Sequence, residues 1–147
     1  NFSELDKNEF IKNESLIASC FLAGTMVNTP SGMKAIETLR QGDVVNTTTG
    51  TATVERLVES SVKPEGESEV YTIKKGAFAS NVPSMPVSSS KRHMISDGKK
   101  WKMMRTWATK RKASKEEMDT NNECKFYNLR LRNGSDFMVS GLGAKSL

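Results

Sequence analysis

The chain has 147 residues and a net charge of +5, with 36% apolar residues, 10 Gly and 4 Pro. That length supports one domain with its own core, or one domain with a tail, and the turn-rich composition favours strands over long helices. Two cysteines, Cys20 and Cys124, make neither a disulfide framework nor a metal spacing, so no metal or other cofactor is expected and a reducing, cytoplasmic-type compartment is the default.

Residues 1–19 read as a leader separate from the rest. Ser3 with Asp6 three positions on resembles a capping box, and Leu5, Phe10, Ile11 and Leu16 fall loosely at helical spacing, so a short helix is predicted there. The apolar run from Leu16 to Val27 is too short to span a bilayer and is interrupted by Ser19, Cys20, Gly24 and Thr25. Glu4, Asp6, Glu9 and Glu14 outnumber Lys7 and Lys12 ahead of it, where a signal peptide would be basic. No membrane span is expected.

Cys20 heads an apolar turn, and from Gly24 the period changes from helical to alternating. Met26 to Thr29 reads as a strand, and Ala35 to Leu39 as a strand or single turn after Pro30-Ser31-Gly32. Asp43 to Thr48 is a strand broken at Thr49-Gly50, with Asp43 capping or bracing its turn, and the β-branched run Thr51 to Val58 is the next. Lys63 to Ser68 is an acidic turn region. Glu69 to Ile73 alternates cleanly and closes on Gly76. Pro83 and Pro86 exclude a central strand over 81–86. Val87 to Ile95 leads to an Asp97-Gly98 turn, a strong hairpin signal, which Lys99 to Met104 leaves. Residues 110–123 read as a loop or short exposed helix, with Trp101, Met103 and Trp107 in core and hairpin packing. The last strands, Cys124 to Arg132 and Asp136 to Val139, meet at Asn133-Gly134. Short strands with turn chemistry between them predict an all-β domain.

Charge is unevenly placed. Between Lys91 and Lys115 ten Lys or Arg stand against Asp97 alone, leaving the remainder net acidic. Such a run is either a solvated hairpin and loop or a surface for nucleic acid or another polyanion. Zinc-finger spacing and RNA-recognition aromatics are missing.

His93 is the one histidine, with Ser90 three positions before it. Beside Cys20 they make a nucleophile, a proton donor and a hydroxyl, a set suited to acyl transfer. The runs Cys20-Phe21-Leu22-Ala23-Gly24-Thr25, Thr29 to Leu39 and Gly42-Asp43-Val44-Val45 closely resemble the opening block of Hint domains, the module shared by hedgehog autoprocessing regions and inteins. Ser90-Lys91-Arg92-His93 is similar to that family's second block, Thr-x-x-His, with Ser in place of Thr. Phe126 to Leu131 and Asp136 to Gly141 resemble the closing blocks. Ile73 to Phe78, Val82-Pro83, Val87-Ser88 and the ending Gly141 to Ser146 are similar to the bacterial-type subfamily called Hint type 2.

The resemblance implies a leader over 1–19 and a Hint domain over 20–147, built as a horseshoe of short, mostly antiparallel strands with a pseudo-two-fold arrangement. It implies an N-to-S acyl shift in which the Cys20 thiol attacks the Ser19 carbonyl and converts the Ser19–Cys20 amide to a thioester. His93 would give a proton to the departing nitrogen, and Ser90 would hold the peptide or the oxyanion. The substrate and partner is then the chain's own N-terminal segment, passed to water or another nucleophile. Inteins end in His-Asn and splice through that Asn. Here the matching residues are Lys145-Ser146, so cleavage or transfer without splicing is expected, and cholesterol transfer is not. Asn128 stands where inteins often carry Asp or Cys and cannot act as a base. Cys124 shares a strand face with Asn128. The family places that strand near the first cysteine, which allows a Cys20–Cys124 disulfide beside the plainer reading of a buried thiol. Two further readings stay open: a non-cleaving Hint scaffold that serves as an interaction module with other chains in an assembly, and polyanion binding through residues 91–115.

Overall fold

The computed structural model describes residues 19–62, 70–116 and 124–147, and among them thirteen strands and one short α-helix. The leader helix, the acidic turn at 63–68 and residues 117–123 lie outside the described residues. No helix among those described is long and apolar enough to cross a membrane.

The chain opens with β1 (Phe21–Leu22), β2 (Met26–Thr29) and β3 (Gly32–Ala35). The apolar turn predicted at Cys20 is therefore a strand followed by a turn. Phe21 pairs with a neighbour on both sides, so two residues suffice for a strand, and no alternation marks it. Thr29 closes the β2–β3 hairpin, its hydroxyl donating to Gly32 O at 2.5 Å and accepting from Ser31 N at 3.1 Å. The 35–39 segment is a 3-10 turn over Ile36–Thr38, which buries Ile36 and Leu39 three positions apart. Asp43 braces the following turn as expected, accepting from Arg40 N at 2.9 Å.

Next come β4 (Val44–Asn46), β5 (Thr51–Val62), β6 (Val70–Ile73) and β7 (Val87–Ser90). The predicted hairpin is β8 (Met94–Ser96) and β9 (Trp101–Met103). Asp97 accepts from Lys99 N and Lys100 N at 2.9 Å each, and Gly98 takes the φ of +99° that a side chain would resist.

Ahead of the stretch 110–123, read as a loop or short exposed helix and described only as far as residue 116, lies α1 (Met104–Thr109). Met104 and Trp107 lie three apart and face inward, and Trp107 donates its indole N–H to Ile95 O at 2.9 Å. Part of the predicted loop is instead β10 (Ser114–Glu116), whose three side chains are all exposed. It is held by backbone pairing with β6, which leaves no mark in side-chain pattern. The chain ends in β11 (Cys124–Leu131), β12 (Asp136–Val139) and β13 (Leu142–Lys145).

All pairings are antiparallel. One sheet runs β10-β6-β7-β1-β11-β5-β4 and the other β3-β2-β12-β13-β8-β9. Phe21, Ile36, Leu129, Phe137 and Leu142 are fully buried in the main core, each such side chain stabilising the fold by about 1.5–3 kcal/mol. The consequence for function is positional. β1 lies in the middle of the first sheet, flanked by β7 and β11, and the bond before it is carried there with it.

Candidate active site

Ser19 and Cys20 lead directly into β1, and the two flanking strands supply the groups around their peptide. From β7, Ser90 Oγ accepts the Cys20 N–H at 3.1 Å. The Cys20 carbonyl accepts from Ser90 N at 3.1 Å, Ser89 Oγ at 3.2 Å and Ser90 Oγ at 3.3 Å. Ser89 and Ser90 are both buried, so these bonds compete little with water. From β11, Asn128 Nδ2 donates to the Ser19 carbonyl and lies 3.5 Å from Lys145 O. Its Oδ1 accepts from Leu129 N at 2.7 Å.

The turn after β7 brings His93 back beside Ser90, with His93 N donating to Ser90 O at 3.1 Å. The ring is fully buried, its centroid 4.2 Å from that of Phe21. Nε2 lies 2.8 Å from Lys145 O. A carbonyl can only accept, so Nε2 carries the proton and Nδ1 presents its lone pair. Nδ1 is buried with no hydrogen-bond partner. Burial pushes the His93 pKa down to about 4, with the Lys145 and Cys20 backbone groups pulling the other way. The imidazole is neutral at pH 7.

The Cys20 side chain turns to the other face, where it is fully buried with Val58, Val70 and Phe126, and Leu22 and Leu147 pack against the cluster. Burial pushes its thiol up to about 12. At rest this is a protonated thiol in an apolar setting, not a preformed thiolate.

The fold thus gathers Ser19, Cys20, Ser90, His93 and Asn128 around one peptide bond. Cys124 stands four residues before Asn128 with its backbone opposite Val62. Its side chain, and with it the Cys20–Cys124 pairing, lies outside the described residues. Two participants escape the sequence reading. Ser89 sits in a run of serines without a spacing of its own, and the Lys145 carbonyl is a backbone group with no side-chain signature.

Among the described residues no group of three His, Cys, Asp or Glu is arranged to hold a metal ion. A polar cleft of about 810 Å³, lined by residues including Glu37, Arg40, Arg56, Tyr127 and Arg130, contains none of Cys20, Ser90, His93 or Asn128. Of the basic run, Lys102 and Lys112 lie over the rings of Trp107 and Phe78, both at 5.7 Å, while Lys99, Lys100, Arg105 and Lys110 are exposed.

Comparison with known proteins gives one family and one fold. The Hint domain family matches residues 19–118. No curated protein sequence matches the chain. Among solved structures, a bacterial intein-like domain from Clostridium thermocellum superposes with a TM-score of 0.62 at 18% identity, covering 87% of this chain and 99% of that one. A DnaB intein from Synechocystis sp. PCC 6803 gives 0.59 at 13% identity, covering 88% and 99%. The gp41-1 intein gives 0.57 at 17% identity, covering 86% and 98%. At these identities the likeness establishes an all-β intein-type fold.

Proposed function

The chain belongs to the Hint domain family, and from that premise we propose that it processes itself by an N-to-S acyl shift at the Ser19–Cys20 bond. The outcome is thioester-mediated cleavage or transfer of residues 1–19, without splicing. The observation that supports this reading is the convergence of β7 and β11 on one peptide: Ser90 holds the Cys20 N–H and Asn128 meets the Ser19 carbonyl.

In the proposed step the Cys20 Sγ–H bond breaks and Sγ bonds to the Ser19 carbonyl carbon. The bond from that carbon to the Cys20 nitrogen then breaks, and the nitrogen gains a proton. One proton leaves sulfur and one arrives on nitrogen, so no other reactant is consumed. His93 gives the nitrogen its proton, and the thiol proton passes to solvent, since the thiol faces away from the imidazole. Being neutral, the ring cannot donate until it has taken up a proton, and its open Nδ1 is the place for it. Burial disfavours both a thiolate at Cys20 and an imidazolium at His93, so neither ion is present at rest. Ser90 fixes Cys20 on both sides, at its N–H and at its carbonyl, so the nitrogen that leaves is held in place as its bond breaks. The thioester then passes residues 1–19 to water or an added nucleophile.

Mass spectrometry of the purified chain tests this. Wild type with thiol or hydroxylamine should split between Ser19 and Cys20, Cys20→Ala should stay whole, and His93→Ala should cleave more slowly by about 10²–10⁴-fold. An intact mass that never changes under either reagent overturns the proposal.

One observation favours a second reading, a non-cleaving Hint scaffold that presents a surface to other chains. The Cys20 thiol is packed among apolar side chains with its pKa raised, the setting of an inert structural cysteine. Under that reading Cys20→Ala leaves both mass and partner binding unchanged.

A further inference from the structure

The geometry points to Asn128 as the oxyanion donor of this site, a catalytic residue whose side-chain amide polarises the Ser19 carbonyl and stabilises the charge that develops there; the inference rests on the self-cleavage reading above. Asn128 replaces the acidic or thiol side chain that inteins often have here, and its inability to act as a base is no obstacle to this role.

The amide can face only one way. Oδ1 accepts from Leu129 N at 2.7 Å, which leaves Nδ2 toward the carbonyls of Ser19 and Lys145. Turned over, it would set an oxygen against two carbonyl oxygens and an NH2 against an N–H. Asn128 is fully buried on a strand between Phe126 and Leu129, so the donor is held by the sheet and shielded from water. A fixed donor in such a place is worth far more to a developing charge than one in solvent. Lys145 O ties the arrangement together, since it also accepts from His93 Nε2. When Sγ adds, the π electrons of the Ser19 carbonyl move to its oxygen, where the Nδ2 proton meets them. When the nitrogen leaves, the C=O bond re-forms. Asn128 gains and loses no proton, and the site needs no titrating group at this position.

The test compares thiol-induced cleavage of wild type, Asn128→Ala and Asn128→Asp across pH. Removing the donor in Asn128→Ala should slow cleavage by about 10²–10³-fold. In Asn128→Asp a protonated carboxyl can still donate, but an ionised one cannot and repels both carbonyls. Its cleavage should therefore fall as pH rises, by about tenfold per unit above the carboxyl pKa, and recover on acidification. Circular dichroism of Asn128→Asp over the same pH range separates the role from misfolding, since a buried carboxylate that ionises would also lower stability as pH rises. Asn128→Ala cleaving at the wild-type rate, or Asn128→Asp following the wild-type pH profile, overturns the inference.

A second measurement stands apart from turnover. Ser19–Cys20 is the one Ser–Cys peptide in the chain. In a Cys20→Ala background, Ser19 is likewise the one serine followed by alanine, so 13C-carbonyl serine with 15N-alanine isolates its carbonyl resonance. Loss of the donor in Asn128→Ala should move that resonance upfield. If wild type stays whole under thiol, the self-cleavage reading has failed on its own. The carbonyl resonance then decides on Asn128: an unmoved signal overturns the inference, and an upfield move sustains the polarisation it requires.

Discussion

Burying a neutral imidazole ties His93 to the stability of the domain, and the sign follows from the direction of its shift. Unfolded, the ring takes up a proton near 6.5; folded, only near 4. The unfolded chain therefore binds more protons between those values, and stability contributed by the neutral ring is complete above pH 6.5 and lost as pH falls through 4. The loss is on the order of 3 kcal/mol when complete. His93→Gln keeps a side chain able to donate to Lys145 O but cannot titrate. Melting curves from pH 7 down to about 4 should show wild type losing stability more steeply than His93→Gln. Parallel curves would mean that water reaches Nδ1. The serine and histidine of this site were legible as residue types at their spacing. The neutral state of His93 was not, because it follows from complete burial and from a carbonyl in the last strand.

Among the elements, those the sequence announced pair turn chemistry with strands long or regular enough to be read, and those it hid lack the second part. Asp97-Gly98 and Pro30-Ser31-Gly32 marked their hairpins because their side chains and glycines make the turns. β1 and β13 were missed. Phe21–Leu22 is too short to alternate, and Leu142–Lys145 holds Gly143 where a strand former would be expected. Gly143 is there for space. A Cβ at this position would lie 3.1 Å from Thr48 Cγ2, 3.1 Å from the Trp101 ring and 3.2 Å from Ser96 Cβ. Gly-to-Ala changes at unstrained positions stabilise by about 0.4–1 kcal/mol through the unfolded chain, whereas overpacking costs about 1–3 kcal/mol. With three neighbours to displace, overpacking should win. Gly143→Ala should lower the melting temperature and also slow cleavage, since β13 carries the Lys145 carbonyl that holds His93. Thermal melts beside cleavage rates check both, and a raised melting temperature would show that the Trp101 ring gives way.

For the molecule as a whole, the motif residues revealed the family, but the way they meet depends on sheet order. Cys20 lies 70 positions before Ser90 and reaches it because β1 enters the sheet between β7 and β11. That placement has a consequence for the cleaved product. The bonds at the Cys20 N–H and carbonyl, and the pairing of β1, belong to Cys20 and the residues after it. Among the described residues the Ser19 carbonyl bond to Asn128 is what lies on the leader side. Cutting should therefore leave the sheet closed, with a new α-amino group at the fully buried Cys20. In an unfolded chain that amine has a pKa of about 7.7–8.0. In the folded product burial disfavours its charged form and lowers the value. The product is then fully stabilised above about pH 8 and loses stability as pH falls toward the lowered folded value, while the uncut amide does not titrate. His93 is common to both forms and largely cancels. The melting-temperature gap between uncut Cys20→Ala chain and cleaved 20–147 should widen from about pH 8.5 to about pH 6.5. A gap that stays constant would place the new ammonium in water, with the end of β1 lifted from between its neighbours.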